Sequence, residues 1–341
     1  MSIEKLSSSL AKNYDNFPKG RFITLVVLRT TQSETIFRTE GSGERICSEA
    51  VQAGVNDENE KIIIQRLVMT KRKQVAPERR YGREHLRGHE LLHTSKDGSL
   101  CSLNTNSPCE MCIDCFLYGF AAGGGGAQKS RIWTEDAFSV LPATDLLGDR
   151  TINAIYENGT MRDEKGNAST ALNTSEYIKP GVHFLDVVTL KDVTADELRY
   201  IIGNILFTSR YGAVSSRVGR MENQILGMFG SICELPSSLE LVQATYDALP
   251  KPLEHPLNIK RLIESSKQVI STWKNRRGVS VQLSEAELAA LIADVENNWS
   301  EEQRDNFLKR LNQSYESLRQ VAAESKKSKG KGKKETVEAG N

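Results

Sequence analysis

The stretch Phe22-Ile-Thr-Leu-Val-Val-Leu28 is seven residues long, apolar and rich in β-branched side chains, with charge only beyond its ends. That is the length and composition of a buried strand. A second run, Lys61-Ile-Ile-Ile-Gln-Arg-Leu-Val-Met69, reads the same way, and residues 44–53 between them suit a short helix. Residues 130–140 read as a further strand, residues 151–190 as two more, and Gln224–Cys233 as another. Among the helices the clearest signal is Thr194-Ala-Asp-Glu197. A Thr hydroxyl and a Glu carboxylate three residues apart satisfy the free backbone amides of a helix start. Leu198, Ile201, Ile202, Ile205 and Leu206 then fall on one face. Ser284/Glu287 and Ser300/Gln303 predict two more capped helices, the second with a stripe of Phe307, Leu308, Leu311, Tyr315 and Leu318. Without its insertions the order approximates βαββαβ. The expected class is therefore α+β, with a split-βαβ, ferredoxin-like core.

The 341 residues are 38% apolar, and the 25 glycines bring this to about 45%, within the globular range of about 45–50%. No window of about 18 apolar residues exists to cross a membrane. The first twenty residues lack an apolar signal core, so a cytoplasmic location is expected. Forty-five basic residues stand against 44 acidic ones. A nucleic-acid binder with that balance has to gather its positive charge locally.

Residues 70–118 break the strand pattern. They carry a basic stretch, three of the five histidines and four of the six cysteines, with almost no aliphatic run before Phe116. A segment poor in apolar residues needs another source of stability, and a metal supplies one. The spacing Cys101-x7-Cys109-x2-Cys112-x2-Cys115 suits it. Two-residue gaps let adjacent thiolates meet one ion, and four sulfurs match tetrahedral zinc. Such a zinc has no open position and is structural. His93 can substitute for one cysteine; free thiols and an iron–sulfur cluster are the other readings. His85, His89 and His93 are four apart and share a face if the stretch is helical.

Positive charge gathers in three places. Lys71, Arg72, Lys73, Arg79, Arg80, Arg83 and Arg87 outnumber Glu78, Glu84 and Glu90. Arg210, Arg217 and Arg220 sit in a Gly/Ser loop, 208–220, that has no acid. Lys129 and Arg131 follow the four glycines 123–126, expected to be a flexible loop. Small residues let backbone amides approach a phosphate, and arginine donates paired hydrogen bonds to it. Tyr211 and Trp133 are candidates to stack a base. Competing chemistry is weak. The phosphate-loop spacing is not met at Lys129-Ser130, and no G-x-S-x-G elbow is present. Asp15, Asp136 and Asp186 read as surface or capping carboxylates before metal ligands, His183 as a structural residue, and Cys47 and Cys233 as ordinary buried thiols.

The segment Gly-Gly-Gly-Ala-Gln-Lys-Ser-Arg-Ile-Trp-Thr-Glu-Asp-Ala-Phe, 124–138, resembles the glycine-rich Ser-Arg…Asp-Ala segment of CRISPR effector backbone subunits. Loop 208–220 resembles their second glycine-rich region. With the four-cysteine insertion, the chain is most similar to the Csc-type backbone subunits of type I-D Cascade over residues 20–320. The resemblance implies a modified RNA-recognition-motif core with a zinc-binding insertion and a thumb-like hairpin. It implies copies polymerised along a CRISPR guide RNA, gripping phosphates while the bases pair with a target strand, beside other Cascade subunits. Carried over by position, Lys129, Arg131, Arg210, Arg217 and Arg220 contact the guide, and excursion 157–179 is the thumb. Lys71, Arg72 and Lys73 join the RNA-binding set on charge. The role is structural, with no residue assigned to catalysis; metal-dependent cutting of the bound strand is the alternative.

The expected organisation is a first core portion (1–69), the zinc insertion (70–118) and a core strand with its glycine loop (119–150). The thumb-bearing strands (151–190), a second core portion (191–235), C-terminal helices (236–321) and a disordered Lys-rich tail (322–341) follow.

Overall fold

The computed structural model describes residues 2–15, 17–37, 46–123, 126–153, 155–157, 159–163, 165–167, 172–212 and 219–321. In chain order the strands are β1 (Phe22–Thr31), β2 (Ser48–Gln52), β3 (Ile63–Met69), β4 (Phe120–Ala122), β5 (Gly126–Gln128), β6 (Ile132–Thr134), β7 (Ala137–Pro142), β8 (Leu147–Asn153), β9 (Leu172–Ile178), β10 (His183–Lys191), β11 (Arg210–Tyr211), β12 (Gly219–Ser231) and β13 (Val279–Gln282). The helices are α1 (Ser2–Lys5), α2 (Lys71–Gly88), α3 (Ile113–Tyr118), α4 (Ala143–Leu146), α5 (Ala195–Phe207), α6 (Ser238–Ala248), α7 (Ile259–Ser271), α8 (Glu285–Trp299) and α9 (Arg304–Gln313).

Every residue of β1 is buried. Ile23, Leu25 and Val27 point into one apolar cluster, with Leu86 of α2, Ile201 and Ile205 of α5, and side chains of α8 and α9. Val26 and Leu28 point into another, with Leu241 and Val242 of α6 and Leu262 and Ile270 of α7. This is why the sequence shows a continuous apolar run rather than alternation. A strand alternates when one sheet face meets water, and here helices cover both.

The sheet is antiparallel throughout, in the order β11-β12-β1-β10-β7-β3-β2, with β13 added beyond β12 and β6 beside β10. Hairpins β4–β5 and β8–β9 stand apart from it. The fold is thus mixed α+β on a single antiparallel sheet.

The capping boxes at Thr194/Glu197 and Ser284/Glu287 both form, and a third, Ser237/Glu240, heads α6. At Ser300 only half of the box is made. Its Oγ accepts from the Gln303 amide at 3.3 Å, and α9 begins at Arg304.

Several elements differ from expectation. Residues 48–52 are strand β2, not helix, because they pair with β3 from Ser48↔Leu67 to Gln52↔Ile63; tertiary pairing outweighs the helix propensity of Glu49 and Ala50. Residues 130–140 break into β6 and β7 at Glu135 and Asp136. β12 starts at Gly219 because β1 pairs it from Met221 onward and β11 pairs Gly219 and Arg220. The expected excursion 157–179 contains β9, paired with β8 from Leu147↔Ile178 to Asn153↔Leu172, so the connecting segment shortens to 154–171. Residues 154, 158, 164 and 168–171 of that segment lie outside the described residues, as do Gly124 and Gly125 and the expected disordered tail, 322–341.

Residues 70–118 do not stand off from the core. Residues 71–88 are helix α2, which packs on α5. The four cysteines join the same apolar cluster as Ile23 and Leu25.

Candidate nucleic-acid interface and cysteine centre

Helix α2 begins with Lys71, Arg72 and Lys73 and has no acid in its first turn. Cations at the positive end of a helix dipole are unfavourable. Asp136 offsets part of that cost, its Oδ1 accepting the Lys71 amide at 2.8 Å. Partial burial, then the neighbouring guanidiniums of Arg72 and Arg80, push the Lys73 ammonium pKa down. Among the described residues Lys71, Arg72, Lys73 and Arg80 make no ion pair. Three cations in the first turn of a helix, with Arg80 two turns further on and none of the four in an ion pair, are a local conflict of the kind that marks a functional surface.

These cations border a groove of about 730 Å³. Its other walls are residues 102–105 of the cysteine loop, Gly119–Ala121, Ser130 and Gly212. Two glycines there are required by their backbones. Gly119 has φ +78° and its Cβ would lie 2.4 Å from Gln128 O; Gly212 has φ +103° and its Cβ would lie 2.6 Å from Ile36 O. The glycine-rich segment, the cysteine loop and the start of the Arg/Gly loop therefore meet the basic helix at one place.

Arg210 and Arg220 are exposed and face each other across the β11–β12 pair. Like charges directly opposite in a ladder are destabilising. Arg217 lies outside the described residues. Lys129 is exposed on the chain just before Ser130.

Three expected contact residues sit elsewhere. Arg131 is buried. Its guanidinium pairs with both oxygens of Glu197, donates to Asp192 O at 3.0 Å, and lies 3.7 Å above the Tyr14 ring. Tyr211 is fully buried. Its hydroxyl donates to Glu78 at 3.1 Å and accepts from Asn223 at 2.8 Å. Trp133 donates to Ser130 O at 3.0 Å, and the Lys191 ammonium covers its ring at 4.8 Å. In this conformation Arg131 and Tyr211 are turned inward, while Trp133 is half-buried under Lys191. Tyr211 instead pins the β11 hairpin to α2 through Glu78. That pin belongs to a buried network in which Arg29 donates to Glu78 at 2.7 Å and to Asp186 at 2.9 Å. Burial raises the pKa of both carboxyl groups, and Arg29 counteracts it.

Asp15 and Asp136 hold backbone amides, of Phe17 and Lys71, and Asp186 holds Arg29. Arg79 and Arg80 are groove cations outside the expected RNA-binding set; Arg79 is paired with Asp114, and Arg80 makes no ion pair among the described residues. The signal for Arg80 was seven-residue spacing from Lys73, which places both on one helix face.

The Sγ atoms of Cys101, Cys109, Cys112 and Cys115 all lie within 4.8 Å of one another, and all four residues are buried. Cys115 is 3.8 Å from Cys101 and from Cys109, and Cys112 is 4.0 Å from Cys101. Four sulfurs about 2.3 Å from a central zinc stand about 3.8 Å apart. The set fits a tetrahedral ion, and it is far from the ~2.05 Å of a disulfide. The amides of Met111 and Cys112 donate to Cys109 Sγ at 3.4 and 3.3 Å, which favours a thiolate. Cys112 caps α3 and Cys115 sits within it. Arg79 and Arg83 hold Asp114 of α3 at 2.8 and 2.6 Å, tying the centre to α2. His93 is not in the group. His85 packs between Tyr81 and Trp299, and His89 faces Asp305 at 3.1 Å.

The class defined by these features is an α+β protein on one doubly covered antiparallel sheet, with an unpaired basic groove beside a four-cysteine centre. A family model described as Csc2 Crispr matches residues 9–308, and the chain belongs to that Csc2 CRISPR family. The crystal structure of Csc2 from Thermofilum pendens is similar at 17% identity with a TM-score of 0.58, covering 93% of this chain and 98% of that one, which shows a shared fold. A chain of a CRISPR RNA-guided surveillance complex in a pre-nicking state is less similar: 10% identity, TM-score 0.46, 82% of this chain and 100% of that one. A chain of a Type IV-B CRISPR complex gives 14%, 0.41, 59% and 90%. No curated protein matches the sequence. Among the described residues no helix is long and apolar enough to cross a membrane.

Proposed function

We propose that this protein is the guide-RNA-binding backbone subunit of a type I-D CRISPR effector complex, several copies of which line one guide and present it to a target strand. The observation that carries this reading is that the basic start of α2 meets residues of the glycine-rich segment and Gly212 of the Arg/Gly loop at one groove in a chain of the Csc2 family. Backbone grip of this kind is independent of sequence, so specificity is left to base pairing. Lys71, Arg72, Lys73 and Arg80 hold phosphates along the groove. Lys129, Arg210 and Arg220 are read as further phosphate contacts, and Arg217 joins them on the family resemblance alone.

The core is read as RNA-recognition-motif-like. Taking β1, β7, β10 and β12 as its four strands, the sheet order β12-β1-β10-β7 is 4-1-3-2, with α2 and α5 as its two helices. Ordinary members of that class stack bases on the open sheet face. Here α6 and α7 cover it, which supports a groove beside α2 as the binding track. One structural zinc on the four cysteines holds the loop that forms the groove's far wall. The 154–171 segment is the thumb.

The test is binding to unstructured RNAs of different sequence. Changing Lys71, Arg72, Lys73 and Arg80 together to Ala lowers affinity for all of them by about tenfold or more at physiological salt. It also flattens the dependence of log K on log salt by about three, at ~0.7 per phosphate contact. Wild-type affinity and salt slope in that variant would remove the groove from the reading.

A further inference from the structure

The two outer edges of the sheet carry opposite charge around exposed aliphatic side chains. At the β2–β3 edge, Val55, Ile62 and Ile63 are 55%, 48% and 63% exposed. Glu49, Asp57, Glu58 and Glu60 surround them, exposed, with one exposed cation, Lys61. None of these acids makes an ion pair among the described residues. The patch is held in place. Asp247 of α6 accepts the amides of Val55 and Asn56 at 2.7 and 2.9 Å and the Asn59 side chain at 2.6 Å.

At the β12–β13 edge the pattern inverts. Ile232, just past the end of β12, is 73% exposed. Lys274, Arg276 and Arg277, in the connection from α7 to β13, are exposed and unpaired among the described residues, and one exposed acid, Glu234, lies nearby. This corner is also held. The Ile232 amide donates to Gly278 O at 2.9 Å, and Ser231 Oγ donates to Cys233 O at 2.6 Å. The path from β13 to β2 has seven strands and so six spacings of about 4.8 Å, which puts the patches roughly 30 Å apart, too far to meet within one molecule.

We infer that the acidic aliphatic edge of one copy docks on the basic corner of the next, and that this is the contact joining copies of this chain. Both patches are pre-ordered, so docking immobilises little. A two-fold dimer through either patch would set like charge against like. Only the heterologous pairing brings acid to base, and a heterologous contact that does not close makes an open row. The inference rests on the backbone-subunit reading for its purpose, not for its chemistry. The corner's cations could instead meet RNA. The 73% exposed Ile232 at their centre and the matching acidic edge favour a second copy.

The test uses two full-length variants. D57K/E58K/E60K makes both edges basic; K274E/R276E/R277E makes both acidic. Each alone binds an RNA short enough for one copy as wild type does, but loses cooperative binding to an RNA long enough for several, by about tenfold or more. An equimolar mixture regains it, because each basic edge then finds an acidic one. Cooperativity kept by either variant alone, or a mixture that stays uncooperative, overturns the assignment. So does weaker short-RNA binding by K274E/R276E/R277E, which marks the corner as an RNA contact. If wild type binds neither RNA, the guide-binding reading falls, and sedimentation in low salt without RNA decides this one. A mixture that associates while each variant stays monomeric supports the contact; a monomeric mixture overturns it.

Discussion

The arginines of the interior and the cations of the groove are the same chemistry in opposite circumstances. Arg29, Arg83 and Arg131 each meet a buried carboxylate, and Arg66 is spent on the carbonyls of Ser139, Val140 and Ala53. The side chains of Lys71, Arg72, Lys73 and Arg80 make no ion pair among the described residues, and the first three sit where a helix dipole repels them. A buried cation must be paired because desolvation costs several kcal/mol. A surface cation stays unpaired at little cost, so a crowd of them with no folding role points outward, to a polyanion. What separates structure from function here is therefore the location of the counter-charge, not the residue type.

The largest expected effect lies on the buried side. Cys109→Ser with Cys112→Ser leaves two thiols in the main apolar cluster. Structural zinc contributes about 10–16 kcal/mol in small peptides. Metal analysis should find close to one zinc per wild-type chain and none in the variant, with a large fall in melting temperature. Full metal content with an unchanged melt would sink the centre. Next comes Arg131→Met, which strands Glu197 without its cation and should cost about 3–5 kcal/mol in urea denaturation. Its folded fraction should bind RNA as wild type does. Arg72→Ala should do the reverse, with stability within about 0.5 kcal/mol and weaker binding. If Arg131→Met instead weakened binding at unchanged stability, the division between interior and groove would be wrong.

The smallest effect is a pH dependence. Burial, reinforced for His85 by Arg304 and for His183 by His255, lowers both imidazoles to about 4. The unfolded chain takes up protons near 6.5 while the folded chain does not. Their contribution to stability is whole above about pH 6.5 and is lost as pH falls toward 4. Urea midpoints between pH 7 and 4.5 should fall, and His183→Gln should flatten that fall. A midpoint independent of pH in this window would show that neither histidine is held neutral.

Sequence patterns reported local structure well where the cause was local. Thr194/Glu197 and Ser284/Glu287 start helices because the cap and its partner are three residues apart, whatever the rest of the chain does. Residues 48–52 misled because a strand edge is made by its neighbour, and β3 is that neighbour. Arg131 and Tyr211 sat in the right motifs, but a motif does not reveal whether a side chain turns inward. Glu197, 66 residues away from Arg131, decides that.

Alone, the order of residues settled the doubly buried strand at 22–28, the capped helices, the four-cysteine spacing and the local excess of positive charge. Each follows from backbone geometry, helix capping or ligand number within a short span. Tertiary structure alone decided which cations became internal counter-ions and which line a groove, and that the cysteine loop, the glycine-rich segment and α2 border one groove. Pairing and burial join residues tens to hundreds of positions apart, and no local pattern encodes where a distant carboxylate comes to rest.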